Sequence, residues 1–308
     1  MKTFANEIKL SGVGIHSGRT VNMLIRPHDR PGIFFKRIDL DGDLIPATYD
    51  NVGATNLRNT TIGIFPNCVQ TIEHLMSALF IFGIDSALIE IDGPEMPILD
   101  GSAKQFCELF GKEKTTGGGK RAKRVVIKKE IIVRQEELLR NMPAILRLKL
   151  LFYNLLYGKK SDGFVRLYPY GNGLLINSTL VYKEHVIGTQ SHEFLFDYTD
   201  NARKRFMDGI AAARTFGKYS EWEYLKKRGM ARGANENNVI ALNDKGDSTL
   251  NALRWTDEFV RHKIIDILGD MYLGGWLVGG LESYKGSHAL NNMALKKLFS
   301  SPDNYEIV

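Results

Sequence analysis

Residues 257–270 read D-E-F-V-R-H-K-I-I-D-I-L-G-D, and the reading of this stretch decides the fold. Phe259, Val260, Ile264, Ile267, Leu268 and Met271 recur at helical spacing, which predicts an amphipathic helix with that face on a core. His262 and Asp266 are four apart, so they stack one turn above the other, and Asp270 follows one turn further along the same stripe. An imidazole and a carboxylate so placed can share a metal ion, and a further acid can orient whatever sits beside it. The same spacing also serves a surface helix with an ordinary His–Asp hydrogen bond. The choice between the two turns on a second stretch far upstream.

That stretch is T-I-E-H-L-M-S-A-L at 71–79. Thr71 suits a helix N-cap, which places Glu73 and His74 in the first turn, pointing about 100° apart around the axis. His74, His262 and Asp266 together make a two-nitrogen, one-carboxylate set. Three protein ligands leave a fourth position for water, as in a catalytic rather than a structural zinc site. Glu73 is then placed to take a proton from that water. The spacing is not H-E-x-x-H, so the peptidase type of zinc motif does not apply.

The chain has 308 residues, enough for one large domain or two ordinary ones, with 44% hydrophobic and 25% charged residues, as in a soluble globular protein. Its net charge of +6 permits nucleic acid, phosphate-bearing substrates or an anionic membrane surface, and selects none of them. Cys68 and Cys107 form no pattern and suit a reducing compartment. The start of the chain, M-K-T-F-A-N-E-I-K-L, has no apolar core of a signal peptide, and no run of apolar residues is long enough to span a bilayer. These features predict a cytoplasmic protein.

Along the chain, 4–10 and 20–26 read as a strand pair around S-G-V-G-I-H-S-G, with short strands at 33–35, 45–47 and 60–65. The Thr71 helix ends near Gly83, and 86–91 alternates as a strand. Residues 93–101 form a loop marked by Pro and Gly, and Ser102 caps the helix that follows. T-T-G-G-G-K-R-A-K-R at 115–124 reads as a solvated linker. Strands at 125–133, 174–182, 190–196, 239–242 and 276–283 follow, with helices at 200–212, 220–227, 257 onward and 288–299. In each half, a helix carrying candidate ligands is followed by a glycine and then a strand. This order predicts an α+β fold of two sandwiches with the metal between them. The predicted domains are 1–114 and 125–300, with a tail at 301–308.

Five blocks carry a resemblance: T-I-E-H-L-M-S-A-L, G-P-E-M-P-I-L-D-G-S-A at 93–103, A-R-T-F-G at 213–217, the 257–270 stretch, and Y-K-G-S-H-A-L-N-N at 284–292. In this order they resemble the UDP-3-O-acyl-N-acetylglucosamine deacetylases, the zinc amidases of lipid A synthesis in Gram-negative bacteria. The resemblance implies two domains of related topology, each a helix pair packed on a β-sheet, with the active site in the cleft between them. It implies one Zn2+ per chain held by His74, His262 and Asp266, with Glu73 as general base. It implies a protonated His288 that stabilises the oxyanion and protonates the leaving amine, held charged by Asp270, and a Thr215 hydroxyl that helps polarise the amide carbonyl. Phe216 then lines the substrate, Lys263 and Lys285 contact its diphosphate, and His16 stands near the site. Two blocks depart from the family pattern: glycine and serine are exchanged before His288, and V-Y-K-E-H-V-I-G at 181–188 matches only loosely.

The implied partner is a UDP-linked acylated glucosamine, and no nucleic acid is expected. The alternatives are a zinc amidase for another acylated amino sugar and a non-catalytic basic RNA-associated module. One further segment, 138–160, has no family counterpart. Pro143 suits a first helical position and Gly158 a C-cap, and the residues between them are apolar on most faces. Such a helix packs against its own domain, meets a protein partner, or docks on the anionic inner membrane surface that supplies a lipid-bearing substrate.

Overall fold

The computed structural model describes residues 1–53, 59–117, 123–140 and 162–308. Its seven helices and several sheets form a mixed α+β fold among the described residues. The first half is built on a five-stranded sheet in the order Ile8–Val13, Thr20–Arg26, Ser86–Ile91, Gly32–Arg37, Ile45–Pro46. Alternation along these strands gives the sheet one buried face: in Thr20–Arg26, Val21, Met23 and Ile25 are buried. Helices Glu73–Phe82 and Lys104–Lys112 belong to this half.

The second half is built on a seven-stranded sheet around Trp276–Tyr284. This strand runs antiparallel to Phe164–Tyr168 and parallel to both Leu174–Val181 and Arg124–Ile127. It is buried over most of its length, as suits a central strand. Helices Glu258–Tyr272 and His288–Phe299 pack with this half. The apolar core is continuous between the halves: Phe80 stacks on Trp276 at 5.0 Å between ring centroids and meets Tyr272 edge-on at 5.4 Å.

Helices Glu73–Phe82 and Glu258–Tyr272 approach each other closely between the halves. A Cβ added at Gly269 would lie 2.0 Å from the Glu73 carbonyl oxygen. Glycine at 269 is thus what lets the second helix lie against the first turn of the first. At the other end of that first helix, Gly83 takes the left-handed conformation (φ 70°) and donates its N–H to Leu79 and Phe80, as expected for a C-cap.

Several local expectations are revised. Thr71 is not the N-cap: Ile72 holds that position without a side-chain cap, and Thr71 has φ 60° with its hydroxyl directed to Glu95. The expected strand 125–133 is two strands, Arg124–Ile127 and Ile131–Arg134, paired with different neighbours. The helix expected over 200–212 ends at Gly209, and its cap is the Thr199 hydroxyl, which accepts from the Ala202 N–H. Of the expected linker 115–124, Thr115–Gly117 pairs antiparallel with Lys2–Phe4, Arg124 opens a strand, and 118–122 lie outside the described residues. Of the expected helical segment 138–160, residues up to Arg140 belong to helix Gln135–Arg140, and the rest lies outside the described residues.

Candidate active site

The stripe read from the sequence forms one buried row on helix Glu258–Tyr272: His262, Asp266 and Asp270 are each 3% exposed or less. The crossing at Gly269 brings the first turn of the other helix against this row, with Glu73 and His74 both 3% exposed. His74 Nε2 lies 3.7 Å from Asp266 Oδ1, and His262 Nε2 lies 3.4 Å from the same oxygen. Ligand atoms of His74, His262 and Asp266 all fall within 4.8 Å of one another, so the three could hold one metal ion. Two imidazoles and a carboxylate suit zinc, and the four-coordinate preference of that ion leaves a position for substrate or water.

Each of these groups has a partner that fixes it. His262 Nδ1 lies 3.0 Å from the Ala213 carbonyl, so a proton on Nδ1 leaves the Nε2 lone pair facing Asp266 and His74. Burial, together with the charges of His74 and Lys263, outweighs the pull of Asp266 and lowers the His262 pKa to about 4, which keeps the ring neutral. Burial alone would raise Asp266, but His262 and the Lys263 ammonium beside it hold it well below the usual carboxylate range. The Lys263 ammonium donates to Asp266 Oδ2 at 2.8 Å.

On the far side of Asp266 stands His288, at the start of helix His288–Phe299. Its Nδ1 lies 2.8 Å from Asp270 Oδ2 and its Nε2 3.9 Å from Asp266 Oδ2. Burial disfavours the His288 cation, but the charge and hydrogen bond of Asp270, with Asp266 and Glu73 behind them, raise its pKa to about 9. Glu73 accepts the Thr60 N–H at 3.1 Å. Burial pushes its carboxyl up, and the opposing charges of His288 and His74 do not cancel that rise.

These groups open into a cavity of about 600 Å³ that Thr215, Phe216, Lys263 and His16 also line. Thr215 is held by its backbone, donating to the Gly101 carbonyl and accepting from the Ile240 N–H, each at 2.8 Å. Phe216 meets Phe259 edge-on at 5.0 Å and reaches the cavity beside His262. His16 sits in a turn whose N–H is bonded to the buried Glu95 carboxylate at 2.9 Å. Lys263 reaches three residues ahead along the helix to Asp266. Lys285 is outside the cavity lining, and its ammonium is paired with Asp162 at 2.7 Å.

Three residues that contact the site escaped the sequence reading. The Thr60 hydroxyl donates to Asp270 and lies 3.2 Å from His288 Nδ1, the Asn291 amide donates to Asp270 at 2.8 Å, and the Ala213 carbonyl holds His262. Only Asn291 left a signal, since it stands three residues after His288 on one helix face.

A hydrolase whose pocket could hold a metal ion is the class that this fold and site define. The family profile described as "LpxC: UDP-3-O-acyl N-acetylglycosamine deacetylase" matches residues 1–300. Proteins named UDP-3-O-acyl-N-acetylglucosamine deacetylase are similar over the full chain. That of Teredinibacter turnerae is 34% identical over 310 residues, covering 100% of this chain and 92% of its own. That of Geotalea uraniireducens is 36% identical over 310 residues, with 100% and 91% covered. That of Nitratiruptor sp. is 36% identical over 309 residues, with 100% and 93% covered. The chain belongs to this deacetylase family.

Proposed function

We propose that the protein is a zinc-dependent amidohydrolase that removes the N-acetyl group of UDP-3-O-acyl-N-acetylglucosamine, a step of lipid A synthesis, giving the free amine and acetate. The observation that carries this reading is the convergence of His74, His262 and Asp266 beside a buried Glu73 and a His288–Asp270 pair, in a chain that matches the deacetylase family almost end to end. His74, His262 and Asp266 would hold one zinc ion. Zinc held there supplies Lewis-acid polarisation of the acetamide carbonyl and of the attacking water.

The chain's own residues do the rest. Glu73 accepts a proton from the attacking water, and the Thr60 N–H keeps its carboxylate aimed. His288 enters as a cation, steadies the developing negative charge on the acetamide oxygen and then gives its proton to the departing amine. Asp270 holds that ring protonated and oriented through Nδ1, leaving Nε2 for the reaction. Thr215 offers its hydroxyl to the same carbonyl. Phe216 and Lys263, at the cavity wall, contact the sugar nucleotide. His16 borders the site, and Lys285 would reach the diphosphate only by leaving Asp162.

We read the chain as two domains, 1–114 and 125–300, whose facing helices carry the site, in a cytoplasmic enzyme. No helix of the described residues is long and apolar enough to cross a membrane. The test is incubation with UDP-3-O-acyl-N-acetylglucosamine and mass spectrometry of the products, together with metal analysis. Loss of one acetyl group and about one equivalent of zinc per chain, the single-site stoichiometry, supports the reading. An unchanged substrate with zinc-loaded protein overturns it.

A further inference from the structure

The buried row on helix Glu258–Tyr272 begins one turn earlier than the metal reading needs. Glu258 stands four residues before His262 and is 0% exposed. We propose that Glu258 is a positioning residue for the reaction, acting through Arg214 on His262 and Thr215. The inference rests on the reading of His262 as a metal ligand and of Thr215 as a substrate contact.

The Glu258 carboxylate accepts four bonds. Two come from the Arg214 guanidinium, Nε at 2.9 Å and Nη2 at 3.1 Å. One comes from the Arg214 backbone N–H at 3.1 Å and one from the Arg254 N–H at 2.6 Å. Arg214 Nη2 also donates to the Ala252 carbonyl at 2.6 Å. Side chain and backbone of Arg214 are thus gripped by one carboxylate, a bidentate fork that fixes direction as well as distance. The residues on either side of Arg214 are the two that face the site. Ala213 presents its carbonyl to His262 Nδ1, and Thr215 lines the cavity.

A neutral imidazole can carry its proton on either nitrogen, and the hydrogen bond made by the other nitrogen decides which one is free for a metal. The Ala213 carbonyl makes that choice for His262, and the Glu258–Arg214 pair holds the carbonyl in place. A buried ion pair is in itself weak support for stability, because apolar residues of similar volume often serve as well. The geometry points to aim rather than to stability as its use.

The test replaces the pair without leaving a lone buried charge, in the full-length variant Arg214→Met/Glu258→Leu. Long-range proton–nitrogen spectra of metal-free, histidine-labelled protein report the tautomer, with His262 assigned through His262→Gln. Wild type is expected to show His262 with its proton on Nδ1. The double variant is expected to show it on Nε2 or as a mixture, and zinc affinity from chelator competition is expected to fall roughly 10- to 100-fold. A double variant that keeps the Nδ1 proton and the wild-type affinity overturns the proposal. Arg214→Lys keeps the charges paired but cannot grip both oxygens. If the double variant does not fold, Arg214→Lys decides by the same two measurements, with losses supporting the proposal and wild-type values overturning it. Wild-type protein that takes up no zinc would count against the functional reading, and the tautomer comparison would still decide the role of Glu258.

Discussion

Asp270→Asn isolates the interaction that charges His288. The substitution keeps the size of the side chain and an oxygen for His288 Nδ1, and it removes the charge 2.8 Å away. Burial works against the cation, and Asp270 is the first of the groups that overcome it, so the His288 pKa stands raised from 6.5 to about 9. A raised pKa means that the native state holds the proton more tightly than the unfolded chain does. The resulting stabilisation is complete below pH 6.5, declines as pH rises through the window up to about 9, and is gone above it. Converted at 1.36 kcal/mol per pKa unit, it is on the order of 3 kcal/mol. The assay is urea unfolding of metal-free protein across this window, with the His288 ring proton followed by NMR. Wild type should lose stability between the two pH limits. Asp270→Asn should lose much less there, with the His288 pKa falling back toward 6.5. In the rate profile of zinc-loaded protein, the alkaline limb should move to lower pH in the variant. A wild-type stability that is flat across the window, or a variant in which His288 titrates as before, would refute this account.

Other expectations follow from the same geometry. Glu73→Gln keeps the shape of the group and an oxygen for the Thr60 N–H, so zinc content by metal analysis should match wild type while turnover falls roughly 100- to 10,000-fold. Gly269→Ala puts a methyl 2.0 Å from the Glu73 carbonyl oxygen. Forcing the two helices apart should cost about 1–3 kcal/mol in denaturant unfolding and weaken zinc in chelator competition, and a variant with wild-type stability would contradict the close approach. Stripping the metal should lower the melting temperature. Zinc added back at 100 times its dissociation constant should restore about 2.7 kcal/mol.

What could be read from the sequence was whatever a single helix dictates. His262, Asp266 and Asp270 lie on one stripe because 3.6 residues per turn puts them there, and Glu73 and His74 open a helix because their neighbours are apolar at the matching spacing. Gly83 as a helix stop follows from its freedom to take φ 70°. What could not be read depends on approach between distant segments. Gly269 looks like an ordinary glycine late in a helix, and its value appears only against the Glu73 carbonyl. Thr60 belongs to a polar run before a strand, and Ala213 contributes through its backbone, where the side chain gives no clue. Thr71 was misread because a threonine before an acidic helix start is a common cap, whereas here its hydroxyl bonds Glu95. Lys285 was placed by its neighbours in the sequence, but its positive φ of 48° and its pairing with Asp162 direct it elsewhere.

The charges around helices Glu73–Phe82 and Glu258–Tyr272 bear on why these residues could hold a metal ion and not merely form a polar core. Among the described residues, the buried carboxylates carried by the two helices themselves are Glu73, Glu258, Asp266 and Asp270. A buried carboxylate is tolerated when it is paired and hydrogen-bonded. Glu258 has Arg214, Asp270 has His288 with Thr60 and Asn291, and Asp266 has Lys263. Among the described residues, Glu73 accepts the Thr60 N–H and forms no ion pair. Glu73 is thus the carboxylate of these four without a close ion pair among the described residues, and burial pushes its carboxyl up. Beside Glu73, ligand atoms of His74, His262 and Asp266 converge. A divalent ion at that point would satisfy the donors and favour the ionised form of Glu73, which is the state a general base requires. Neutralising the row instead, by Asp266→Asn, should relieve the Glu73 carboxyl in the metal-free protein and abolish zinc uptake together. A variant that bound zinc normally would show that the charge of Asp266 is not what recruits the ion.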